Sequence, residues 1–260
     1  MRLQTLLLVA AVSFSVVLAG CGGGGEDTAT TPTPAADADP APAAEPAGTA
    51  SIAGTINFEG TAPERPPITL DRDCRELHEG DVLSQNTVVN DNGTLRWAFI
   101  YVKDGLGDRT FAPPAEEVVF DQRGCLYTPH VFGVQAGQTV RILNSDAFLH
   151  NVNSQPEQRS NKFNFGMPNQ GMEKEQTFRT AEVMVKIRCD VHGWMGAYAG
   201  VLDHPYFAVS GEDGSFSIEG LPAGTYTLEA WHETLGTQEM TVTVGDGEAG
   251  SADFTFSAAS

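Results

Sequence analysis

The sequence predicts an all-β chain of sandwich type, and three features predict it. Apolar residues rarely recur at helical spacing. Short alternating or β-branched runs dominate instead, which is the pattern of half-buried strands. Gly, Asn, Asp and Pro separate those runs at regular intervals, with Asn90-Asp91-Asn92-Gly93 and Asp213-Gly214 as turn signals. Many short strands at such spacing indicate a sandwich or barrel.

The first element is not part of that fold. The chain opens MRLQTLLLVAAVSFSVVLAGC, with one basic residue, Arg2, then a short apolar run and small residues. The run is too short to span a membrane and no stop-transfer charges follow, so residues 1–20 are expected to be a secretory signal. Leu18-Ala19-Gly20-Cys21 resembles a bacterial lipobox. That resemblance implies cleavage before Cys21, lipid on its sulfur, and an extracytoplasmic protein held at a bacterial membrane. Residues 21–50 are rich in Gly, Pro, Ala and Thr and almost free of large apolar side chains. They cannot bury enough surface to offset ordering entropy and are expected to be a disordered tether.

Candidate strands then follow in order: 51–58, 96–102, 117–120, 130–134, 138–144, 175–179, 182–189, 196–202, 214–218, 225–231, 239–244 and 253–256. A short piece around 72–79 is the one helical candidate. Two regions differ in texture. Residues 51–203 contain every candidate ligand, whereas 204–260 read as a compact run of four strands. In GSFSIEGLPAGTYTLEAW, Phe216 and Ile218 share one face, Leu221-Pro222-Ala223-Gly224 turns the chain, and Tyr226, Leu228 and Ala230 alternate again. This stretch resembles the carboxypeptidase regulatory-like, or transthyretin-like, β-sandwich. SIAGTINFEG, near residues 51–60, resembles the opening strand of the same module and is a candidate to pair with it.

Charge narrows the partners. Asp and Glu total 34 against 15 Lys and Arg, a net charge of −19. Such a surface argues against nucleic acid and against an electrostatic grip on anionic lipid, and it favours a basic partner. Of the four cysteines, Cys21 belongs to the lipid and Cys189 to the motif below. Cys74 and Cys125 remain as a candidate disulfide, which an oxidising compartment permits. Free thiols, or a second metal site using Cys74 with His78 or Cys125 with His130, stay open.

The informative stretch is CDVHGWM, residues 189–195, with a thiol, an imidazole and a thioether in seven residues. Upstream, VFGVQAGQTVRILNSDAFLHNV carries a Gly-bearing turn, a strand ending at Asn144-Ser145-Asp146, and His150 in an expected loop. Val183, Val185, Ile187 and Cys189 share one parity, so the thiol continues the face of its strand. If the strands 138–144 and 182–189 lie side by side, His150 and Cys189 meet at one end of a sandwich. The two segments together resemble the cupredoxins, the blue-copper proteins, with the short ligand loop of the amicyanins. The resemblance implies a Greek-key β-sandwich and one mononuclear type 1 copper, held by His150, Cys189, His192 and, at the weak axial position, Met195. It also implies an exposed His192 as electron port. One thiolate, two imidazoles and a weak thioether are the blue-copper donor set. Asn144 and Asn151 are candidates to orient His150 or hydrogen-bond the sulfur.

Zinc could occupy Cys189, His150 and His192 adventitiously, although structural zinc sites do not usually include Met. A binuclear copper centre needs a second cysteine in the loop, and there is none. The expectation is a membrane-anchored electron carrier, and not an enzyme, exchanging electrons with a redox protein such as a cytochrome or oxidase. Copper storage, delivery or sensing is the alternative. A structural or carbohydrate-binding lipoprotein is a third, suggested by the C-terminal strands alone.

Overall fold

Alternation decides where most strands form, and their apolar faces sort them into two cores. A computed structural model describes residues 48–258. The signal peptide, Cys21 and most of the expected tether lie outside the described residues. Among those described, the fold is all-β with one short helix, α1 (Arg72–Arg75), and one 3-10 turn.

The first sandwich is assembled from both ends of the described chain. One of its sheets places β1 (Ala50–Glu59) between β15 (Ser215–Leu221) and β18 (Ala249–Ser251), with β19 (Phe254–Ser257) also pairing to β1. β1 runs antiparallel to β15 and parallel to β18 and β19. The other sheet has the order β14 (Phe207–Val209), β4 (Phe99–Asp104), β16 (Gly224–His232), β17 (Gly236–Val244). Ile52, Ile56, Ile100, Val102, Ile218, Leu228, Val244 and Phe256 fill the space between them. A small ladder of β2 (Val88–Val89) and β3 (Leu95–Arg96) stands beside it.

The second sandwich occupies the middle of the chain. A five-stranded sheet has the order β10 (Asn164–Met167), β9 (His150–Gln155), β12 (Glu182–Arg188), β13 (Gly196–Leu202), β7 (Val131–Gln135). It faces a four-stranded sheet ordered β11 (Met172–Thr177), β8 (Thr139–Asn144), β5 (Val118–Arg123), β6 (Leu126–Thr128). Phe120, Tyr127, Phe132, Val140, Ile142, Val185, Ile187 and Ala199 form its core.

Sheet membership therefore cuts the chain differently from a boundary at 203/204. Residues 96–102, expected as one strand of the metal-bearing region, break at Trp97, whose φ is 69°. The piece after the break, β4, joins the first sandwich. It is buried on both faces: Ile100 and Val102 enter the first core, and Phe99 and Tyr101 enter a third cluster with Val131 and Leu202. That is why it reads as a continuous apolar run. The third cluster is the seam between the sandwiches. Gly133 and Gly200 face each other across β7 and β13. A Cβ on Gly200 would stand 2.3 Å from the Phe99 ring, and one on Gly133 would stand 2.2 Å from the Phe207 ring. Absent side chains here let aromatic rings of one sandwich lie on the backbone of the other.

Two expectations about the site region are corrected. β8 and the Cys189 strand do not lie side by side. They belong to opposite sheets, because both bury one face in the same core. His150 does not sit in a loop. It opens β9, and β9 is the strand next to β12, with Ile187 opposite Ser154 and Arg188 opposite Asn153. The shared face holds for Val185, Ile187 and Cys189, which all enter the second core, and fails only at Val183, because the register shifts between Glu182 and Val185.

Candidate metal centre

Neighbouring strands bring the ligand types together. His150 is the first residue of β9, and Cys189 follows the last residue of β12. The loop after Cys189 closes on itself. The His192 amide points at Cys189 Sγ (3.4 Å), the Met195 amide donates to the His192 carbonyl (2.9 Å), and the Cys189 amide donates to the Met195 carbonyl (3.2 Å). His150 Nδ1 stands 2.9 Å from His192 Nδ1, and Cys189 Sγ stands 3.9 Å from the latter. Donors about 2.0–2.3 Å from a common ion are separated by roughly 3–4 Å, so this spacing suits one ion. Met195 is buried on the same loop and packs within the core of this sandwich.

The outer ring nitrogens decide which way the lone pairs face. His150 Nε2 meets Asp146 Oδ2 at 2.9 Å. His192 Nε2 faces Asp71 Oδ2 at 3.5 Å. A nitrogen facing a carboxylate carries the proton, which leaves both Nδ1 lone pairs turned inward, toward each other and the sulfur. Such a convergence is repulsive unless a proton or a cation lies between the donors. Protonation of His150 relieves this repulsion where no cation is bound. Burial alone pulls the His150 imidazole down, but the Asp146 hydrogen bond and the Cys189 sulfur outweigh it and raise its pKa to about 9. Burial pushes the Cys189 thiol up, but His150 and backbone amides outweigh that and bring it down. Burial and the charge on His150 lower His192.

Asp146 is itself held. The amides of Gly124 and Cys125 each donate to it at 2.7 Å. Burial works against its charge, yet His150 and these amides keep it below the usual carboxylate range. Asn144 shapes the turn that carries Asp146. Its amide donates to the carbonyls of Phe148 and Met167, and its oxygen accepts from the Asp146 amide. Asn144 thus acts on His150 through the turn and not by contact. Asn151 contacts the thiol, with Oδ1 3.4 Å from Cys189 Sγ, and accepts from the Asp190 amide at 2.6 Å. The Asp190 carboxylate in turn gathers the amides of Asn151, Asn153 and Asn164 and pairs with Arg188.

The expected exposed port is corrected. His192 is only 6% exposed. The segment carrying α1 lies over it, with Asp71 at the N-cap and Cys74 in the turn. Cys74 and Cys125 are joined as a disulfide. Trp194 lies beside His192 with the two rings tilted 45° apart, and it donates to the Cys125 carbonyl at 3.0 Å. The apolar side chains that do reach solvent beside the ligands are Leu149 and Val191. Met167, another methionine near this end, lies in the core and accepts from Gln122.

Sequence reasoning assigned no role to Asp71, Asp146 or Asp190. Asp146 stands four residues before His150 and was legible as a partner. Asp71 is a distant residue with no local signal. The pairing of His130 with Cys125 left open by the sequence is excluded by the disulfide, and His130 is buried between the Gly196 carbonyl and Glu233, 103 residues away. His78 bonds the Gly124 carbonyl and His204 the Tyr206 amide.

No family model matches the chain, and no curated protein matches it. Solved structures do. A copper-containing nitrite reductase from Thermus scotoductus SA-01 shares 20% identity over 38% of this chain, with a TM-score of 0.29, and this chain spans only 25% of its length. A purple cupredoxin from Nitrosopumilus maritimus shares 23% identity over 32% of this chain and 98% of its own, with a TM-score of 0.28. Amicyanin from Paracoccus versutus shares 23% identity over 39% of this chain and 96% of its own, with a TM-score of 0.29.

Proposed function

We propose that this chain is a mononuclear copper protein that carries electrons outside the cytoplasm, anchored to a bacterial membrane through lipid on Cys21. His150, Cys189 and His192 hold the metal, and Met195 is the weak axial donor. One observation carries this reading. Two imidazole nitrogens and a thiol sulfur converge in a buried site, with the outer nitrogens already facing carboxylates. The donor set, one thiolate with two imidazoles and a nearby thioether, favours copper over zinc. Copper, when bound, supplies one-electron exchange between its cupric and cuprous states. The residues around it hold the rings fixed, so little needs to rearrange on electron transfer. The remaining histidines lie apart, each with its own partner, so a second catalytic metal is not part of the proposal. The partner is a redox protein with a basic face, steered by the acidic surface and weakened by salt. The strands paired with β1 form an accessory sandwich of the carboxypeptidase regulatory-like kind.

The test is the visible spectrum of the full chain loaded with Cu(II), beside Cys189→Ala. An intense band that bleaches with ascorbate, returns on oxidation and is absent from the variant is expected. A colourless protein, or absorption indifferent to Cys189, overturns the reading.

The covered His192 favours a second reading, copper storage or delivery, because a buried imidazole is a poor electron port but a good retaining ligand. A carrier cycles repeatedly without losing metal. A delivery protein gives up Cu(I) to a competing chelator once reduced.

A further inference from the structure

The disulfide lies against the metal centre. The sulfurs of Cys74 and Cys125 and one ring nitrogen of His192 are all within 4.8 Å of one another, and all three residues are buried. Cys125 is also within that distance of a His150 nitrogen and an Asp146 oxygen. His192 stands between two groups of donors. Nδ1 faces His150 and Cys189, and Nε2 faces Asp71. The other oxygen of Asp71 accepts from the Cys74 amide at 2.9 Å, so the carboxylate and Cys74 belong to one turn. A disulfide sulfur is a poor ligand, whereas a thiolate is the strongest soft donor a protein has.

We propose that Cys74, Cys125 and Nε2 of His192 form a second, thiol-gated site for a soft d10 ion of the Cu(I) class, available once the disulfide is reduced. The gating step is thiol–disulfide exchange with a dithiol reductant. The Cys74–Cys125 bond breaks, two electrons and two protons pass from the dithiol to the two sulfurs, and the reductant leaves as its own disulfide. On metal binding, the two thiols release their protons to solvent, and Nε2 of His192 gives up the proton it holds toward Asp71, to Nδ1 where the first site is empty and to solvent where it is filled. The covering segment can open for the exchange. It belongs to none of the four large sheets; apart from the disulfide itself, Leu70 packed in the core, the Asp71–His192 contact and the His78 bond to the Gly124 carbonyl hold it to the sandwich, whereas the Ile68–Val82 and Ser84–Pro66 backbone bonds close the segment on itself. The oxidised protein then holds one ion beside one thiolate. The reduced protein holds a second ion on the far side of the same imidazole. A chain of this kind takes up extra cuprous ion only under reducing conditions.

The site shares His192 with the copper reading above but does not depend on Cys189, so the two can fail separately. The probe is Cd(II), whose bonds to thiolates absorb in the ultraviolet. Full-length Cys189→Ser is prepared oxidised or reduced with a phosphine that is then removed anaerobically. The oxidised form is expected to show no thiolate–Cd(II) absorption. The reduced form is expected to bind one Cd(II) with two thiolates. Adding His192→Gln should weaken that binding by at least the roughly 10–100-fold that loss of a supporting partner costs. In the wild-type chain, reduction should raise the Cd(II) count from one to two, a check that needs no substitution. The proposal is overturned if reduced Cys189→Ser gains free thiols but no thiolate–Cd(II) absorption, if His192→Gln leaves the affinity unchanged, or if the disulfide yields to reductant only on unfolding.

Discussion

The two sandwiches spend their interiors differently. The first is packed mostly with Ile, Val, Leu, Phe, Tyr and Ala, and its buried polar groups, Ser210, Glu229 and His232 among them, are few. The second has a similar core, but one end of it buries Asn144, Asp146, His150, Asn151, Asn153 and His192. Burying so many polar groups costs stability unless each finds a partner, and here the partners are found: amides on Asp146, carboxylates on the imidazoles, amides around Asp190. The first sandwich reads as a scaffold. The second gives up apolar packing at one end to hold a rigid set of donors, and a disulfide braces that end.

Removing the brace should have the largest effect on stability. Cys74 and Cys125 close a loop of 51 residues, so the loop-entropy model gives about 4 kcal/mol. Cys74→Ala with Cys125→Ala should lower the unfolding free energy of the second sandwich by that order and leave that of the first unchanged. Site-resolved hydrogen exchange can tell them apart. A uniform loss over both sandwiches would mean that they unfold as one unit.

The first sandwich carries its own weak point. His232 is buried, and that burial lowers its pKa to about 4, against the nearby charge of Glu233. The folded state keeps this imidazole neutral below the pH at which the unfolded chain protonates it. Stability is therefore full above about pH 6.5 and is lost as pH falls toward 4, by up to about 3 kcal/mol. His232→Leu should flatten this part of the pH profile in equilibrium unfolding. An unchanged slope between pH 6.5 and 4 would assign acid sensitivity to carboxylates alone.

A smaller loss is expected at the seam. Gly200→Ala places a methyl group against the Phe99 ring, and overpacking of this kind costs about 1–3 kcal/mol. Because Phe99 belongs to one sandwich and Gly200 to the other, the variant should also weaken their coupling, seen in calorimetry as a wider separation between the transitions of the two sandwiches than in the parent. Transition temperatures equal to the parent's would mean that the ring moves aside freely.

These contrasts also explain what the sequence could and could not reveal. β8, β12, β16 and β17 were legible from their apolar alternation, and β4 from a continuous apolar run buried on both faces. Cys189, His192 and Met195 were legible because three donors lie in one short loop. β9 was not. HNVNSQ has no apolar alternation, since its buried side chains are satisfied by hydrogen bonds and not by packing. The short helix and the Cys74–Cys125 disulfide were expected, but their place over His192 was not, for a related reason. Residues around Asp71 have no periodicity, and they reach the metal loop through one carboxylate and one disulfide, both decided by tertiary structure. The Trp97 break and the Glu233 partner of His130 are long-range facts of the same kind.

The subtlest difference between the sandwiches is how far from the ligands the polar order extends. Asp190 is more than a third exposed, so its removal should hardly change stability. Yet its carboxylate fixes the amides of Asn151, Asn153 and Asn164 at once, and its own amide fixes the Asn151 oxygen that meets the thiol. Asp190→Asn offers one acceptor oxygen where there were two and adds a donor that faces three others. Asn151 should then be free to turn, changing the hydrogen bonding at Cys189 Sγ. The copper-loaded variant should show a shifted thiolate absorption and reduction potential with an unaltered denaturation midpoint. If spectrum and potential match the parent, Asn151 is held by its contact with the Asp190 amide alone, and the carboxylate serves only the surface.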